Sequence, residues 1–174
     1  SNLNYPFLSL VVSGGHTQIW KVNSIGDYLL LANTVDDAAG EAFDKGARLL
    51  GLGYPGGPEI QRVSKDGSPD FINFPRPTVK KNKFNFSFSG LKTALLYKIK
   101  DMDESYKTEN IHNIASSYQE AIVDTLLDRI EKISIEEKIN DISIAGGVAA
   151  NTRFRYKAEQ LSFKMGLKIY FPPM

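Results

Sequence analysis

The sequence has no cysteine, no long apolar run and almost no net charge. Its 174 residues carry 21 Lys and Arg against 20 Asp and Glu, a formal net charge of +1. The lack of cysteine excludes disulfide bonds and thiolate metal sites and fits a reducing compartment, so we expect a cytoplasmic protein. A membrane-spanning helix needs about 20 mostly apolar residues, and we therefore expect no membrane span. The small net charge argues against an overall field that attracts nucleic acid.

Histidine is scarce, since only His16 and His112 occur. Neither belongs to a His-Glu-x-x-His pattern, which places two zinc ligands on one face of a helix. This excludes a self-contained metalloprotease. At the start of a predicted strand, His16 has two interpretations, a hydrogen-bonded structural residue or a ligand or base.

The first third of the chain predicts strands followed by helices. Segments 7–12, 17–22 and 28–35 are apolar or alternate between apolar and polar residues, with Gly-containing turns between them, so they predict three antiparallel strands. Segment 37–50 has the composition and apolar spacing of a helix. A rigid Gly- and Pro-rich loop follows, and we predict a short helix over 59–64.

The second half predicts helices and a parallel strand pair. Ser89 is expected to cap a helix that runs to about Ile99, and an amphipathic helix is expected over 109–133. A buried strand at 141–145, a helix from 149 or 150 to 164 and a strand at 167–171 form a strand-helix-strand unit. Such a unit implies parallel strands with a right-handed crossover.

Three antiparallel strands followed by strand-helix-strand units are typical of one lobe of an actin-like fold. The predicted class is therefore α/β, an actin-like ATPase (ribonuclease-H-type) lobe with a mixed sheet, flanking helices and a helical insertion. Segment 66–86 is expected to be irregular or hairpin-like. Lobes of this type normally occur in pairs.

The turn Ser13-Gly14-Gly15-His16-Thr17 is a candidate phosphate site. Two glycines allow backbone N–H groups to face a ligand without side chains in the way, and the flanking hydroxyls can donate to phosphate oxygens. The alternative is structural, because Gly-Gly is also a common hairpin turn. The residues alone leave both interpretations open.

A second candidate lies at the start of the first predicted helix. Asp37, Glu41 and Asp44 fall on one helical face, where a carboxylate lining a cleft could accept ribose hydroxyls or hold Mg²⁺. Neighbouring Lys45 and Arg48 favour ordinary surface ion pairs for some of them. Downstream, Gly56-Gly57-Pro58 either lets the backbone approach a ribose or base, or simply makes a sharp turn.

A third candidate joins the buried strand at 141–145 to the following helix. Its sequence is Ala145-Gly146-Gly147-Val148-Ala149-Ala150-Asn151. Parallel α/β sheets bind ligands at this kind of junction, where helix N–H groups favour anions and Asn151 could meet a nucleobase edge. The alternative is tight helix-on-sheet packing by small residues.

One segment concentrates basic and aromatic residues, although the chain as a whole is nearly neutral. They could contact RNA phosphates and stack on bases, or form a solvated basic loop. The residues are Arg76, Lys80, Lys81 and Lys83, interleaved with Phe74, Phe84 and Phe86.

Five motifs in order resemble the TsaD family, which was once described as O-sialoglycoprotein endopeptidases. The resemblance covers essentially the whole chain, 1–174, but only about the second half of such a protein, so an upstream lobe and a C-terminal end are expected to be missing. The motifs are Val12-Ser13-Gly14-Gly15-His16-Thr17, Asp36-Asp37-Ala38-Ala39-Gly40-Glu41-Ala42-Phe43-Asp44-Lys45, Tyr54-Pro55-Gly56-Gly57-Pro58, Phe86-Ser87-Phe88-Ser89-Gly90-Leu91-Lys92 and Ala145-Gly146-Gly147-Val148-Ala149-Ala150-Asn151.

The resemblance implies a tRNA threonylcarbamoyltransferase with a two-lobed, actin-like fold. Such enzymes transfer threonylcarbamoyl from threonylcarbamoyl-AMP to the exocyclic amine of the adenosine 3′ of the anticodon, in tRNAs that read ANN codons. It further implies that Asp44 and Gly57 bind the ribose side and that Asn151 faces the adenine. The residues implied for the threonylcarbamoyl-phosphate end are Val11, Val12, Ser13, Gly14 and Gly15.

The resemblance also implies a metal ion and partners. The family's Fe²⁺ or Zn²⁺ is held by a His pair in the upstream lobe and by an Asp beyond the Pro-Pro motif, so no metal ligand is expected within this chain and no catalytic residue is assigned. Expected partners are tRNA, a TsaB-like paralogue and a TsaE-like ATPase. The ion would polarise the carbamoyl carbonyl, and we therefore expect the 174-residue chain to be inactive alone.

Two other functions remain open. Phosphate-binding turns are shared across the actin-like superfamily, so an ATP-dependent small-molecule kinase or a carbamoyltransferase is the nearest enzymatic alternative. The non-enzymatic alternative is a nucleotide-regulated scaffold that binds a paralogue through the helix at 109–133.

Overall fold

The computed structural model describes residues 3–173, which form one five-stranded sheet and the helices around it. The strands are β1 Phe7–Val12, β2 Thr17–Ser24, β3 Asp27–Asn33, β4 Asp141–Ala145 and β5 Lys168–Tyr170. The helices are α1 Ala39–Leu49, α2 Gly56–Ser64, α3 Ser89–Lys100, α4 Glu104–Glu109, α5 Ile111–Glu137 and α6 Thr152–Met165, with a 3-10 turn at Gly147–Ala150.

The sheet is mixed, as the sequence predicts. Its strand order is β3-β2-β1-β4-β5. β1, β2 and β3 pair antiparallel, whereas β1 with β4 and β4 with β5 pair parallel. Val11 pairs with Ala145, so the carboxyl ends of β1 and β4 lie side by side. The turns that follow these two strands therefore meet at one edge of the sheet.

The core explains why these segments form strands and helices. Leu8, Leu10 and Val12 alternate with less buried residues along β1, as expected for a strand with one covered face. α5 is the central helix, and Tyr118, Ile122 and Leu126 on it are fully buried. None of the helices between residues 3 and 173 is both long and apolar enough to cross a membrane.

The irregular segment 66–86 is held by side-chain contacts instead of a ladder of strand hydrogen bonds. Arg129, only 2% exposed, donates from Nε to the Asn85 carbonyl at 3.1 Å and from Nη2 to the Pro77 carbonyl at 2.8 Å. Phe74 and Phe86 are buried in the core. These contacts fix a segment whose sequence predicts no regular structure.

Several helix boundaries differ from the predictions, among them the start of α1, which is Ala39, and the end of α5, which is Glu137. α2 begins at Gly56, before the predicted start at 59, because the Asp44 carboxylate accepts the Gly56 N–H at 2.7 Å and satisfies the new helix end. The short helix α4 is not predicted, and α5 begins after it at Ile111. α6 begins at Thr152, since Asn151 caps it after the 3-10 turn.

The predicted cap at Ser89 is wrong. Ser89 is the first residue of α3 and Phe88 occupies the cap position without a side-chain cap bond. The hydroxyls of Ser87 and Ser89 donate to Asp36 Oδ2 at 2.6 and 2.8 Å, and the Phe88 and Ser89 N–H groups donate to Asp36 Oδ1. The Ser-rich motif therefore binds a carboxylate distant in sequence.

Candidate functional site

An open cleft of about 350 Å³ lies where the turns after β1 and β4 meet the amino-terminal half of α1 and the start of α2. Four of the residues implied by the resemblance line it: Gly14, Asp44, Gly57 and Asn151. They come from the turn after β1, from α1 and α2, and from the segment after β4. The fold thus brings the separately predicted motifs to one place.

The turn after β1 is a hairpin turn that also faces the cleft. The Ser13 N–H donates to the His16 carbonyl at 2.8 Å, and Ser13 Oγ accepts from the His16 N–H at 3.1 Å. His16 itself is exposed, and Val12 is fully buried at the end of β1. The hairpin and ligand interpretations are therefore compatible, although the Ser13 hydroxyl is engaged within the turn. Val11, which precedes it, is half-buried.

The Thr17 hydroxyl has a structural role that the sequence interpretation missed. Thr17 is fully buried, and its Oγ1 accepts the Ala39 N–H at 2.9 Å at the start of α1. The expectation that it would donate to a phosphate is wrong, because solvent and ligand cannot reach it. The Gly40 N–H also donates to the Ser13 carbonyl at 3.1 Å, so α1 holds the β1 turn in place.

The glycines around the cleft are needed for different reasons. A Cβ at Gly40 would lie 2.6 Å from the Ser13 carbonyl oxygen, and one at Gly146, whose φ is +107°, would lie 2.2 Å from the Val12 carbonyl oxygen. Packing therefore requires both. At Gly14, Gly15 and Gly147 the same atom would meet nothing within 4 Å. Their missing side chains leave free space beside or within the cleft.

Only one of the three predicted carboxylates lines the cleft. Asp37 lies before α1, and Asp37 and Glu41 hold Lys45 Nζ at 2.8 and 3.0 Å. Hydrogen bonds to Asp37, and then to Glu41, raise the pKa of Lys45. Asp44 instead faces α2 and uses Oδ1 to accept the Gly56 N–H. Among residues 3–173, no protein donor within hydrogen-bond distance occupies Asp44 Oδ2, which leaves that oxygen available to a ligand hydroxyl.

Asn151 lines the cleft while its amide is also engaged within the protein. Its Oδ1 accepts the Phe154 N–H at 2.9 Å, which caps α6, and its Nδ2 donates to Gln119 Oε1 at 2.8 Å. An amide NH₂ has two hydrogens, so one donor of Nδ2 remains for a ligand. Gln61 on α2 has a similar role, since its Oε1 accepts the Thr152 N–H at 2.7 Å. The sequence analysis identified neither Gln61 nor Gln119, which lies on α5. No local motif marks either glutamine.

Of the two interpretations left open for the basic and aromatic segment, the structure favours a solvated basic loop over a base-stacking surface. Phe74 and Phe86 are buried, and Arg76 donates to Asp124 Oδ2 at 2.7 Å from Nη2. Lys80 and Lys81 are exposed. The solvated-loop interpretation is therefore the better one for this segment.

Residues 3–173 do not by themselves make a metal site. In the part of the chain that the structure describes, no group of three or more His, Cys, Asp or Glu side chains could hold an ion. An Fe²⁺ or Zn²⁺ ion therefore does not fit these residues by themselves.

Comparisons with known proteins match the chain to one family. The model of the family described as "TsaD: tRNA N6-adenosine threonylcarbamoyltransferase" matches residues 1–174. A curated protein of that description from Thermosipho africanus is 49% identical over 99% of this chain and 52% of its own length. Another from Persephonella marina is 50% identical over 99% of this chain and 49% of its own length. The chain spans about half the length of the curated relatives it matches.

Solved structures support the fold. Full-length HypF in its phosphate- and nucleotide-bound form has a TM-score of 0.67 at 14% identity, covering 94% of this chain and 36% of its own. The activator of 2-hydroxyisocaproyl-CoA dehydratase from Clostridium difficile, with bound ADPNP, has a TM-score of 0.57 at 12% identity, covering 99% of this chain and 56% of its own. Both have the actin-like ATPase fold, which confirms the predicted fold class.

Proposed function

Because this chain belongs to the TsaD family of tRNA N6-adenosine threonylcarbamoyltransferases, we propose that it forms the nucleotide-binding part of such an enzyme. The enzyme would bind threonylcarbamoyl-AMP and transfer its acyl group to an adenosine of tRNA. The observation that carries this proposal is the open space at Gly14 and Gly147 on two walls of one cleft. Neither glycine is required by packing, so the space is available to a ligand.

The proposed binding mode follows from the chemistry of the walls. In the turn formed by Ser13, Gly14 and Gly15, the Ser13 N–H donates to the His16 carbonyl and the Gly15 N–H donates to Ser13 Oγ at 3.4 Å, so the Gly14 N–H would face the acyl-phosphate end. Asp44 Oδ2 would accept a ribose hydroxyl beside Gly57. The remaining Asn151 Nδ2 hydrogen would donate to an acceptor nitrogen of the adenine. Val11 and Val12 would contribute backbone only.

In the proposed transfer, the adenosine amine nitrogen forms a bond to the carbamoyl carbonyl carbon. The bond between that carbon and the phosphate oxygen breaks, AMP leaves with the electron pair, and the amine loses a proton to solvent or a base. The β1 turn would stabilise the departing phosphate through the Gly14 N–H. No step is assigned to a metal ion. Fe²⁺ or Zn²⁺ enters the proposal only as a constituent of the complete protein, with ligands outside this chain.

The partners and location belong to the same proposal. The substrate tRNA follows from the family's description. A TsaB-like paralogue and a TsaE-like ATPase are proposed as partners, and the cytoplasm as the location, from the family resemblance. The family match favours the transferase over the kinase, carbamoyltransferase and scaffold alternatives.

A substitution in the cleft tests the binding mode in the full-length protein that carries this chain. Gly14→Ala places a methyl group in the open space of the cleft, and we expect AMP affinity by calorimetry and threonylcarbamoyl transfer to tRNA each to fall at least about tenfold. Gly53→Ala is the matched control, because its Cβ would make only ordinary contacts with Glu59. Equal affinities for the two variants would contradict the assignment.

A second measurement separates the activities. Full-length protein is supplied with threonylcarbamoyl-AMP and tRNA, and the modified adenosine is detected by mass spectrometry. Unmodified tRNA together with a phosphorylated small molecule in the presence of ATP would favour the kinase alternative. Transfer by the 174-residue chain on its own would contradict the expectation that it is inactive alone.

A further inference from the structure

A second pocket, of about 550 Å³, adjoins the cleft and is not used by the proposed nucleotide contacts. The two share Gln61 as a lining residue. Gln61 Oε1 accepts the Thr152 N–H at 2.7 Å, and Gln119 Oε1, also in the second pocket, accepts from Asn151 Nδ2 at 2.8 Å. Two glutamine side chains and the start of α6 thus separate the cavities. A ligand longer than one nucleotide could occupy both.

This second pocket is more positively charged than the cleft and than the cavity on the other side of Asp44. Three cationic side chains line it, Arg62, Lys65 and Arg153, and the described residues contribute no carboxylate to its lining. Within residues 3–173 no Asp or Glu oxygen lies within ion-pair distance of the exposed Lys65, whereas Arg62 pairs with Glu59 at 2.8 Å. In the cavity on the other side of Asp44, the carboxylates of Glu41 and Asp44 balance the cations of Lys45 and Arg48. Anion binding is therefore favoured on the Gln61 side of the cleft.

An exposed aromatic ring lies beside these cations. Arg153 is fixed by two hydrogen bonds to the buried Glu120, at 2.8 and 3.0 Å, and its guanidinium lies 5.5 Å from the centre of the Tyr156 ring. Tyr156 is 52% exposed although it is a large aromatic residue. Unpaired bases of RNA stack on aromatic rings and on Arg guanidinium planes, and phosphates bind nearby cations. The pocket offers both features at once.

We propose that the pocket lined by Lys65, Arg153 and Tyr156 binds a nucleotide of the substrate RNA next to the adenosine that reacts in the cleft. A base stacks on Tyr156, and its phosphate contacts Lys65. This inference rests on the proposed function, since the RNA must present its reacting adenosine at the neighbouring cleft. The basic segment around Lys80 is not needed for this contact.

The test compares two double variants in the full-length protein that carries this chain. The pocket variant is Lys65→Ala with Tyr156→Ala. The matched control is Lys164→Ala with Phe163→Ala, which removes the same charge and a similar exposed aromatic ring, 83% exposed at Phe163, on the same helix as Tyr156. Binding of a fluorescent anticodon stem-loop RNA is measured by polarisation at several salt concentrations. AMP binding is measured in parallel by calorimetry.

We expect the pocket variant to bind the RNA at least about tenfold more weakly, because it loses one stacked base and one phosphate contact. The slope of log affinity against log salt concentration should become smaller by about one, because one phosphate contact is lost. The control should change RNA affinity less than about twofold, and AMP affinity should be unchanged in both. Tyr156→Phe alone should retain RNA affinity, because the ring remains.

The other possible results overturn the pocket proposal alone or contradict the tRNA substrate as well. If the wild-type protein binds RNA and the pocket variant binds it equally well, the pocket proposal is wrong and the proposed function stands. If AMP affinity falls together with RNA affinity, the pocket serves the small nucleotide and the proposal is overturned. If the wild-type protein binds AMP but not this RNA, both the pocket proposal and the tRNA substrate are contradicted.

Discussion

The turns after β1 and β4 both contain two consecutive glycines and both reach the same cleft, yet the protein itself requires only one of the four. At Gly146 a side chain would collide with the Val12 carbonyl, and the positive φ independently favours glycine. At Gly14, Gly15 and Gly147 a methyl group would meet no protein atom within 4 Å. The same dipeptide therefore marks strand packing at Gly146 and open space in the cleft at Gly14 and Gly147.

The two turns are also held by different means. The β1 turn depends on α1, through the bond from Gly40 N–H to the Ser13 carbonyl and the bond from Ala39 N–H to Thr17 Oγ1. The β4 turn continues into a 3-10 turn and ends at the Asn151 cap of α6. Loosening α1 is therefore expected to affect the β1 turn more than the β4 turn.

The largest expected effect comes from alanine at the glycine that packing requires. Gly146→Ala should lower the free energy of unfolding by at least about 3 kcal/mol, because the backbone has to move away from Val12 and the new residue is strained at positive φ. Gly147→Ala should change it by less than about 1 kcal/mol, since its Cβ meets open space. Urea denaturation of both variants measures the difference, and similar losses would break the distinction between the two glycines.

Removing the buried hydroxyl of Thr17 should have an intermediate effect. Thr17→Val keeps the shape but leaves the Ala39 N–H without its acceptor, which costs about 1–3 kcal/mol. Thr17→Ser keeps the acceptor and loses only a methyl group, so its cost is expected to be about 1 kcal/mol. Amide exchange decides between them: the Ala39 N–H should exchange faster in Thr17→Val and stay protected in Thr17→Ser. Fast exchange in both would show that the hydroxyl does not hold α1.

The smallest expected effect on the free energy of unfolding comes from Asp36, in the segment before α1, and it depends on pH. Partial burial raises the pKa of Asp36, but hydrogen bonds from Ser87, Phe88 and Ser89 outweigh it and lower the pKa below its usual value. The charged carboxylate therefore stabilises the fold above about pH 4, and this contribution is lost as the pH falls through the lowered pKa. Asp36→Asn should cost about 1 kcal/mol at pH 7 and flatten the acid dependence, since the carboxylate is partly exposed.

Hydrogen exchange measures whether the Asp36→Asn substitution destabilises only the turn after β1 or also the turn after β4. In Asp36→Asn the Gly40 N–H, bonded to Ser13, should exchange faster because α1 is less firmly placed. The Asn151 N–H, bonded to Val148 in the β4 turn, should exchange at its wild-type rate. Equal acceleration at both amides would mean that the two turns form one cooperative unit.

Local patterns predicted the regular elements well and failed where a partner is distant in sequence. A short apolar run correctly predicted β1, and apolar residues at helical spacing correctly predicted the long helix α5, because the spacing of apolar residues along the chain reflects which face is buried. Ser89 was wrongly interpreted as a cap, since its partner Asp36 lies in another segment. The start of α2 was misplaced for a similar reason, because its first N–H group binds the carboxylate of Asp44, which lies in α1.

In the candidate site, too, features visible in the local sequence were predicted and features that depend on distant contacts were missed. The glycine turns and Asp44 were found from the sequence, because glycine pairs and carboxylates are visible locally. Gln61 and Gln119 were missed, since their importance comes only from contacts with Thr152 and Asn151. The base-stacking interpretation of Phe74 failed because periodicity cannot show that an irregular segment buries its aromatic side chains.

The sequence by itself determined the strands, the main helices, the two Gly-Gly turns and the family to which the chain belongs, because spacing and motif order are local properties. Only the tertiary structure decided that β1 pairs with β4, which brings turns from opposite ends of the chain to one edge of the sheet. It also decided which glycine is a packing requirement and which carboxylate faces the cleft. Those outcomes depend on distances between atoms far apart in the chain, and no local pattern records them.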